Sequence, residues 1–495
     1  MRVVIVYPDV IGRGRGWPGS YHHGLASISA VLKASGHHTA LIHVKGKITK
    51  QEFFGMLEEK SPDILGFTAT TNQFPLALNL ARWAREILSA TKMVLGGTHV
   101  TLDAENVATM GVFDYLCIGE GEEPMAELCN ALEAEADPRH IQNIWAIQNN
   151  SVFRNPVRPL IDLNSFPFPD KLLFDYGELQ YAKQGRGAFL ASKGCPYNCN
   201  YCCNEALRRV YQCNVDEYVR FKKVDYLIEE IKRELKDHPF VKKVYFEDDI
   251  LPLRMNWFRE FTKVYKNEIS IPFICNLSPT MANDEVMALL HEAGCEQVQM
   301  GIETGNQELR IKLLRRAVTN EKLSGAFEAC KRAGIKSFSF NMVGLPNESM
   351  SDMLETVKIN ARLLVDKVVS TIFYPYPGTQ LHRFSLERGL ITRKEIPSYG
   401  HDTVLKVGRI NRWQILFIHK YFPLLVALYR RIYSLGPHRR EFLENIADKV
   451  LKAQPVALSI YPILIWAYSA LRSTRITERL GRVVLENYLF RRGKR

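Results

Sequence analysis

The sequence is sparing with cysteine, and nothing at its N-terminus resembles a secretion signal. Ten cysteines are distributed over 495 residues. Half of them stand singly among predicted strands and helices: Cys117, Cys129, Cys275, Cys295 and Cys330. Scattered single cysteines are not the pattern of a disulfide framework. The first residues, MRVVIVYPDVIG, predict a strand and lack a basic start, a long apolar stretch and a cleavage site. We therefore expect a protein of the reducing cytoplasm.

Charge is also distributed unevenly. The chain has a net charge of +12, yet residues 406–495 alone contain 18 Lys and Arg against five Asp and Glu, a net of +13. The remainder is therefore close to neutral. An apolar content of 46% is ordinary for a folded protein, and the length predicts about three domains. Any basic partner surface should belong to the C-terminal region.

The first part of the chain predicts an α/β domain. Over residues 1–140, five short apolar runs alternate with amphipathic stretches, which predicts a Rossmann-like, doubly wound parallel sheet. Ligands of such sheets bind at the carboxyl ends of the strands. The predicted strand ends are rich in glycine and threonine, at Gly12–Gly19, Thr68–Asn72, Gly96–Thr101 and Gly119–Glu122. We expect a ligand at this edge.

Three further segments follow. Residues 141–187 predict a hairpin with an Asn-Asn turn and then a proline-rich linker. Residues 188–390 predict six βα units, enough for a partial barrel but too few for a closed one. Residues 391–495 predict a basic, aromatic-rich helical region. The strands predicted for the partial barrel are Ala188–Ser192, Lys243–Glu247, Pro272–Asn276, Gln297–Gly301, Lys336–Met342 and Val368–Phe373.

The segment KGCPYNCNYCCN follows the first predicted barrel strand directly. Cys195, Cys199 and Cys202 have the spacing C-x3-C-x2-C. A structural zinc site needs four ligands, whereas an iron–sulfur cluster held at three irons leaves the fourth open to bind another molecule. The spacing therefore favours the cluster, with a zinc knuckle or a chance cysteine-rich loop as the alternative. For Cys203 and Cys213 we expect packing or a reactive thiol.

The cysteine motif resembles the signature of the radical S-adenosylmethionine (SAM) enzymes. Four later segments, YFEDDIL, MGIETGNQELR, NMVGLPNES and YPYPGTQL, match in order between residues 187 and 390. The resemblance implies a 4Fe-4S cluster on the three cysteines, with SAM on the open iron. It assigns SAM binding to Tyr201, Glu247, Asp248, Glu303, Val343, Gly344, Leu345 and Pro346. Phe246–Asp248 depart from the family's usual Gly-Gly-Glu, so either Glu247 or Asp248 would face the methionine amine.

The domain order resembles the cobalamin-binding branch of that family. The branch carries a corrinoid on an N-terminal Rossmann-like domain, and GGTHVT and GEGEE stand at the expected strand ends. The resemblance assigns cobalamin to Thr68, Thr70, Thr71, Gly96, Gly97, Thr98, His99, Thr101, Gly119, Glu120 and Gly121. The chain has no D-x-H-x-x-G motif, so His99 is not expected to bind cobalt. Its backbone should border the corrinoid tail, while its side chain is expected at the surface.

The resemblance implies a methyltransferase acting on an unactivated carbon. SAM cleavage would give a 5′-deoxyadenosyl radical, and methylcobalamin would supply the methyl group. One alternative is a cobalamin-dependent cyclase or other redox enzyme acting on a tetrapyrrole-like or lipid substrate. A more remote one is a non-catalytic cobalamin or cluster sensor.

The expected partners are a small-molecule or lipid-like substrate and an external low-potential electron donor of the flavodoxin or ferredoxin type. The C-terminal apolar runs are near or below the roughly 20 residues that span a bilayer, and Pro423 or Pro462 interrupts each. Peripheral contact with a membrane surface, a helical cap over the substrate and ordinary packing on the barrel remain open. We do not expect nucleic acid, because no recognisable RNA-binding module follows the barrel.

Overall fold

The computed structural model describes residues 1–10, 17–149, 151–392, 402–408 and 410–453. The chain divides into two compact units. Unit 1 comprises Met1–Cys275 and Pro375–Arg383, and unit 2 comprises Asn276–Tyr374 and Phe384–Arg495. Most of the predicted loop Gly12–Gly19, and the second apolar run of the C-terminal region with Pro462, lie outside the described residues.

Unit 1 begins with a seven-stranded sheet in the order β2-β1-β3-β4-β5-β6-β7. Its strands are β1 (Arg2–Pro8), β2 (His38–Val44), β3 (Ile64–Thr68), β4 (Lys92–Gly96), β5 (Tyr115–Cys117), β6 (Ile144–Gln148) and β7 (Ser151–Phe153). Its helices are α1 (His23–Ala34), α2 (Lys50–Lys60), α3 (Phe74–Ile87), α4 (Thr98–Ala108) and α5 (Glu122–Glu133). The first five strands are parallel and the last two antiparallel. The five predicted βα repeats and the hairpin are therefore present.

Alternation along β1 explains why this sheet is covered on both faces. Val4 and Val6 belong to the apolar core on one face, while Val3 and Ile5 belong to the core on the other. Successive side chains of a strand point to opposite faces, so a continuous apolar run is suited to a sheet buried on both sides. The run VVIVY thus suits β1 to an interior position of the sheet, between β2 and β3.

The rest of unit 1 holds the cysteine motif. Its strands are β8 (Arg186–Phe189), β9 (Ser192–Lys193), β10 (Arg220–Phe221), β11 (Lys243–Phe246) and β12 (Phe273–Asn276). Its helices are α6 (Cys203–Tyr211), α7 (Val215–Tyr218), α8 (Val224–Asp237) and α9 (Met255–Glu268). Strand β11 pairs in parallel with β8 and β12. The predicted strand at 188–192 is split into two. Strand β8 ends at Phe189, and Ser192 and Lys193 form the separate strand β9, which pairs antiparallel with β10.

The proline-rich segment before β8 packs against unit 1. Phe174, Tyr176 and Leu179 are buried, and buried Lys171 donates to Ala188 O at 3.0 Å. The same ammonium lies 3.0 Å from the Glu234 carboxylate on α8. A buried charge needs such pairing. This segment, predicted as a linker, therefore holds β8 in place.

Unit 2 contains three parallel strands and the described C-terminal helices. The strands are β13 (Cys295–Glu303), β14 (Lys336–Val343) and β15 (Lys367–Ile372). The helices are α10 (Asp284–Glu292), α11 (Asn320–Arg332), α12 (Met350–Arg362), α13 (Gln380–Glu387), α14 (Arg412–Tyr433) and α15 (Pro437–Lys452). The first turn of α13 belongs to unit 1. With β8, β11 and β12, all six predicted barrel strands are present.

Helix α14 continues through Pro423, which the sequence suggested as an interruption. Proline cannot donate the backbone hydrogen bond that His419 O would receive. The Ser370 hydroxyl donates to that carbonyl instead, at 3.2 Å. Among the described residues, no helix is long and apolar enough to span a membrane.

Candidate functional site

The cysteine loop, which we define as Gly194–Asn204, leaves β9 through a turn that only glycine can make. Gly194 has a φ of +95°, and a β-carbon there would lie 2.4 Å from Tyr218 O. Further along the loop, the Cys202 amide donates to Cys199 O at 3.1 Å. Helix α6 begins immediately after Cys202. The loop thus bends between Cys199 and Cys202 and ends at a helix N-terminus.

The surroundings of the three thiols suit an anionic cluster. The Asn204 amide nitrogen lies 3.7 Å from Cys202 Sγ, and the Tyr218 hydroxyl donates to Asn204 Oδ1 at 3.0 Å. A helix N-terminus stabilises negative charge. Burial and the nearby Asp249 carboxylate raise the pKa of Cys195 to about 12. Iron must therefore displace a proton from this thiol on binding.

The three cysteines are not arranged around a single point. Among the described residues, no group of three or more His, Cys, Asp or Glu side chains is placed to hold a metal ion. In a 4Fe-4S cluster each thiolate binds a different iron, so the thiols need not converge. Their spacing in one partly buried loop fits that cluster.

Asp248 and Glu247 lie at the end of β11 and have different neighbours. Buried Asp248 accepts from the Ala191 amide at 3.1 Å and from the Ser192 hydroxyl at 2.5 Å, just before the cysteine loop. Burial raises its pKa to about 6. Glu247 is half-buried, and its Oε2 lies 2.9 Å from His23 Nε2. These contacts give Asp248 a positioning role for the loop, and the SAM contacts predicted for both acids stay predictions.

Tyr201 lies half-buried inside the cysteine loop, next to Cys202. The remaining predicted SAM residues belong to unit 2. Glu303 is buried with a φ of +67°, unusual for a residue with a side chain. A β-carbon on Gly301 would lie only 2.0 Å from Glu303 Oε1, so the carboxylate folds back over its own strand. Strain of this kind is often retained at functional sites.

Val343–Pro346 form the turn after β14, where Gly344 has a φ of +79°. The turn is organised by Glu348, which the sequence analysis did not single out. Glu348 Oε2 accepts from the amides of Gly344 at 2.6 Å and Leu345 at 2.9 Å. Burial raises the pKa of Glu348 to about 8. The pattern GLPNE, an acid four residues after a turn glycine, is the signal that could have indicated it.

A cavity of about 200 Å³ opens at the carboxyl ends of β1, β3, β4 and β5. We call it the strand-end cavity. Six residues predicted for cobalamin line it: Thr68, Gly96, Gly97, Gly119, Glu120 and Gly121. Its apolar walls are Ile5, Leu25, Ile28, Phe67, Val94 and Met125. A β-carbon at Gly97, where φ is +100°, would lie 2.7 Å from Ala69 O. Gly97 therefore lets the loop after β4 pack closely against the backbone that follows β3, beside the cavity.

The other residues predicted for cobalamin do not line this cavity: Thr70, Thr71, Thr98, His99 and Thr101. Thr101 accepts from the Gly119 amide at 2.9 Å and donates to Gly97 O at 2.9 Å, so it joins two of the lining loops. The expectation of a surface side chain at His99 is wrong. His99 is buried with its ring 4.1 Å from that of Phe74, and burial lowers its pKa to about 4.

His22 lines the strand-end cavity, although no sequence signal indicated it. Its Nδ1 accepts from the Leu25 amide at 3.2 Å at the start of α1. Burial lowers the pKa of His22 to about 4, so the ring is neutral at pH 7 and its proton is on Nε2. His22 is therefore an uncharged polar side chain in the lining of the cavity.

Glu120 connects the strand-end cavity to the cysteine loop. Its carboxylate lies 2.6 Å from Arg220 Nη2 and 3.2 Å from Lys193 Nζ, which also lies 3.0 Å from Glu122. The Glu120 amide donates to the Tyr211 hydroxyl at 2.6 Å. Lys193 directly precedes Gly194, and Tyr211 ends α6. The two parts of unit 1 are thus joined by a charged network.

Comparison with known proteins agrees with this geometry. Residues 20–129 match the B12 binding domain model, and residues 190–359 match the radical SAM superfamily model. An uncharacterized methyltransferase of Pyrococcus horikoshii is 25% identical over 79% of this chain and 84% of its own. The anaerobic magnesium-protoporphyrin IX monomethyl ester cyclase of Rubrivivax gelatinosus is 23% identical over 92% of this chain and 83% of its own.

Two solved structures have the same fold. OxsB, a cobalamin-dependent SAM radical enzyme, gives a TM-score of 0.66 at 15% identity, covering 98% of this chain and 75% of that one. TsrM, a radical SAM methyltransferase of Kitasatospora setae, gives 0.64 at 17% identity, covering 79% and 77%. At these identities the two structures establish the fold.

The cysteine loop and the radical SAM match define a radical SAM enzyme. The B12 binding domain that precedes it places the chain in the cobalamin-binding radical SAM family. The predicted α/β fold, with a cobalamin-binding domain, a radical SAM domain and a helical C-terminal region, is confirmed. Its cofactors are a 4Fe-4S cluster, SAM and cobalamin.

Proposed function

We propose that this protein is a cobalamin-dependent radical SAM methyltransferase that methylates an unactivated carbon of a small molecule. The network of Glu120, Lys193 and Arg220 carries the proposal, because it joins the loop lining the strand-end cavity to the loop with the cysteines. A cobalamin on the first loop and a cluster on the second would share one reaction space. Methyltransferases among the relatives support the same activity.

The residues of unit 1 have distinct tasks in this proposal. When bound, the cluster with SAM opens a carbon–hydrogen bond by one-electron chemistry, and cobalamin supplies a transferable methyl group. Cys195, Cys199 and Cys202 hold the cluster, and Asp248 fixes the strand end from which their loop begins. The apolar walls of the strand-end cavity exclude water from the part of the corrinoid that they enclose.

The substrate class and the electron donor extend the proposal. The relatives are named for acting on bacteriochlorophyllide d, on a magnesium-protoporphyrin monomethyl ester and on a cytidylyl phosphonate. We propose a small molecule of comparable size, and the two tetrapyrrole relatives favour one with a large apolar part. The electron is supplied by a flavodoxin or ferredoxin, because the proposed chemistry needs a low-potential electron from outside the chain.

Product analysis tests this function. The protein is reconstituted anaerobically with iron, sulfide and cobalamin, given SAM and a low-potential reductant, and assayed for 5′-deoxyadenosine and S-adenosylhomocysteine. The methyltransferase should form both. Cys199→Ala should lose 5′-deoxyadenosine, whereas Cys213→Ala, outside the cysteine loop, should keep it.

The outcomes separate the three functions considered from the sequence. 5′-Deoxyadenosine without S-adenosylhomocysteine would replace the methyltransferase with a cyclase or other redox enzyme. Neither product, with the cluster and cobalamin both verified by absorbance, would indicate a sensor.

A further inference from the structure

Helix α15 packs on unit 2 through its charged face. Glu444 and Asp448 lie 2.9 Å and 2.7 Å from the Lys358 ammonium on α12. The Tyr429 hydroxyl on α14 donates to Asp448 at 2.7 Å, and the Tyr433 hydroxyl donates to Glu444 at 3.1 Å. A helix on a protein surface normally buries its apolar face instead.

The apolar face of α15 points away from these contacts. Phe442 is 65% exposed, Ile446 43% and Val450 51%. Residues four apart lie on one side of a helix, so these three form a row about 12 Å long, with exposed Leu443 beside it. Leu424 and Leu428, also four apart, are exposed on α14. Contiguous exposed apolar side chains indicate an interaction surface.

The charges on α15 indicate what kind of partner covers this row. Glu444 and Asp448 face the rest of unit 2 and are paired, whereas Arg439, Arg440 and Lys449 are exposed, against one exposed acid of the helix, Glu441. Residues 406–495 as a whole carry a net charge of +13. A helix with an apolar face and basic borders is suited to the interface of an anionic lipid membrane.

We infer that α15 docks this protein on the surface of a membrane that contains anionic lipids. Phe442, Ile446 and Val450 insert among the acyl chains near the headgroups, and Arg439, Arg440 and Lys449 contact the phosphates. This inference is independent of the methyl-transfer chemistry. It goes beyond the proposed function, and an enzyme docked at a membrane surface would meet apolar substrates there.

Vesicle co-sedimentation tests the inference with the full-length holoprotein. The wild type should sediment with vesicles of mixed phosphatidylcholine and phosphatidylglycerol, much less with phosphatidylcholine alone, and less as salt is raised. The Phe442→Asp, Ile446→Asp variant should lose at least tenfold in partitioning. Leu172→Asp is the matched control, because Leu172 is 80% exposed elsewhere in the chain and should bind normally.

A second variant guards against a folding defect. Arg439→Glu with Lys449→Glu leaves the apolar row intact and should weaken binding to anionic vesicles while the melting temperature stays unchanged. Failure of the wild type to bind would overturn the inference, as would wild-type binding by the Phe442→Asp, Ile446→Asp variant. A dimer seen by light scattering and lost in that variant would identify a second copy of the chain as the occupant instead.

Discussion

The cysteine loop and the strand-end cavity lie in the same unit, yet they depend on different parts of the polypeptide. The loop depends on side chains: three thiols, with Asn204 beside Cys202 Sγ. The cavity depends on backbone and apolar walls, with glycines in the loops that line it. The loop should therefore fail when a functional group is removed, and the cavity when atoms are added.

The largest effect should come from removing one thiol of the cysteine loop. Cys202→Ala should lose the iron–sulfur absorbance after reconstitution and reduce 5′-deoxyadenosine formation to background, because one iron loses its ligand. Its neighbour provides a matched control. Cys203→Ala should keep both signals, since Cys203 lies outside the C-x3-C-x2-C spacing. Equal loss in both variants would contradict the assignment of the three ligands.

Adding one carbon to the strand-end cavity should have the next largest effect. Gly97→Ala places a β-carbon 2.7 Å from Ala69 O, and we expect cobalamin affinity, measured by absorbance titration, to fall by an order of magnitude or more. Gly111 also has a positive φ, but a β-carbon there meets nothing within 4 Å. Gly111→Ala should therefore cost only about 1 kcal/mol of stability and leave binding unchanged. Similar cobalamin affinities in the two variants would show that the strand-end cavity is not part of the cobalamin site.

The network between the two regions should give a smaller effect. Glu120→Gln weakens the contacts to Lys193 and Arg220, and we expect cobalamin to bind a few-fold more weakly and to respond less to cluster loading. Glu127→Gln is the control, because Glu127 pairs with Arg158 away from this network. Titrating cobalamin into cluster-free and reconstituted protein measures the coupling, which should be about 1–2 kcal/mol in the wild type. The same affinity with and without the cluster would show that the regions are independent.

The comparison also explains how far the sequence could be interpreted. The cysteine loop could be located because a thiolate ligand must be a cysteine at a fixed spacing, and the strands because their apolar runs are continuous. Gly96, Gly97 and Gly119 could be assigned to strand-end loops because sharp turns favour glycine, and all three line the strand-end cavity. The role of Glu348 and the ion pair between Glu120 and Lys193 were missed, because the sequence alone does not show whether an acidic or basic side chain is buried. His99 was misplaced for that reason, since the ring of Phe74 covers it.

The last expected effect concerns the pH dependence of stability near the strand-end cavity. Burial lowers the pKa of His99 to about 4, against an ordinary value of about 6.5, so the unfolded chain takes up a proton at a higher pH than the folded one. The stability that neutral His99 provides is therefore complete above pH 6.5 and is lost as the pH falls towards 4. Between pH 7 and pH 5 the loss should be about 2 kcal/mol.

Urea unfolding measures the free energy of unfolding at these two pH values. The difference between them should be smaller by about that amount in His99→Leu than in the wild type. His140→Leu, at an exposed position of the same domain, should behave as wild type. An unchanged difference in His99→Leu would mean that His99 is not held neutral, and that the environment of α4 is more polar than its packing against Phe74 implies.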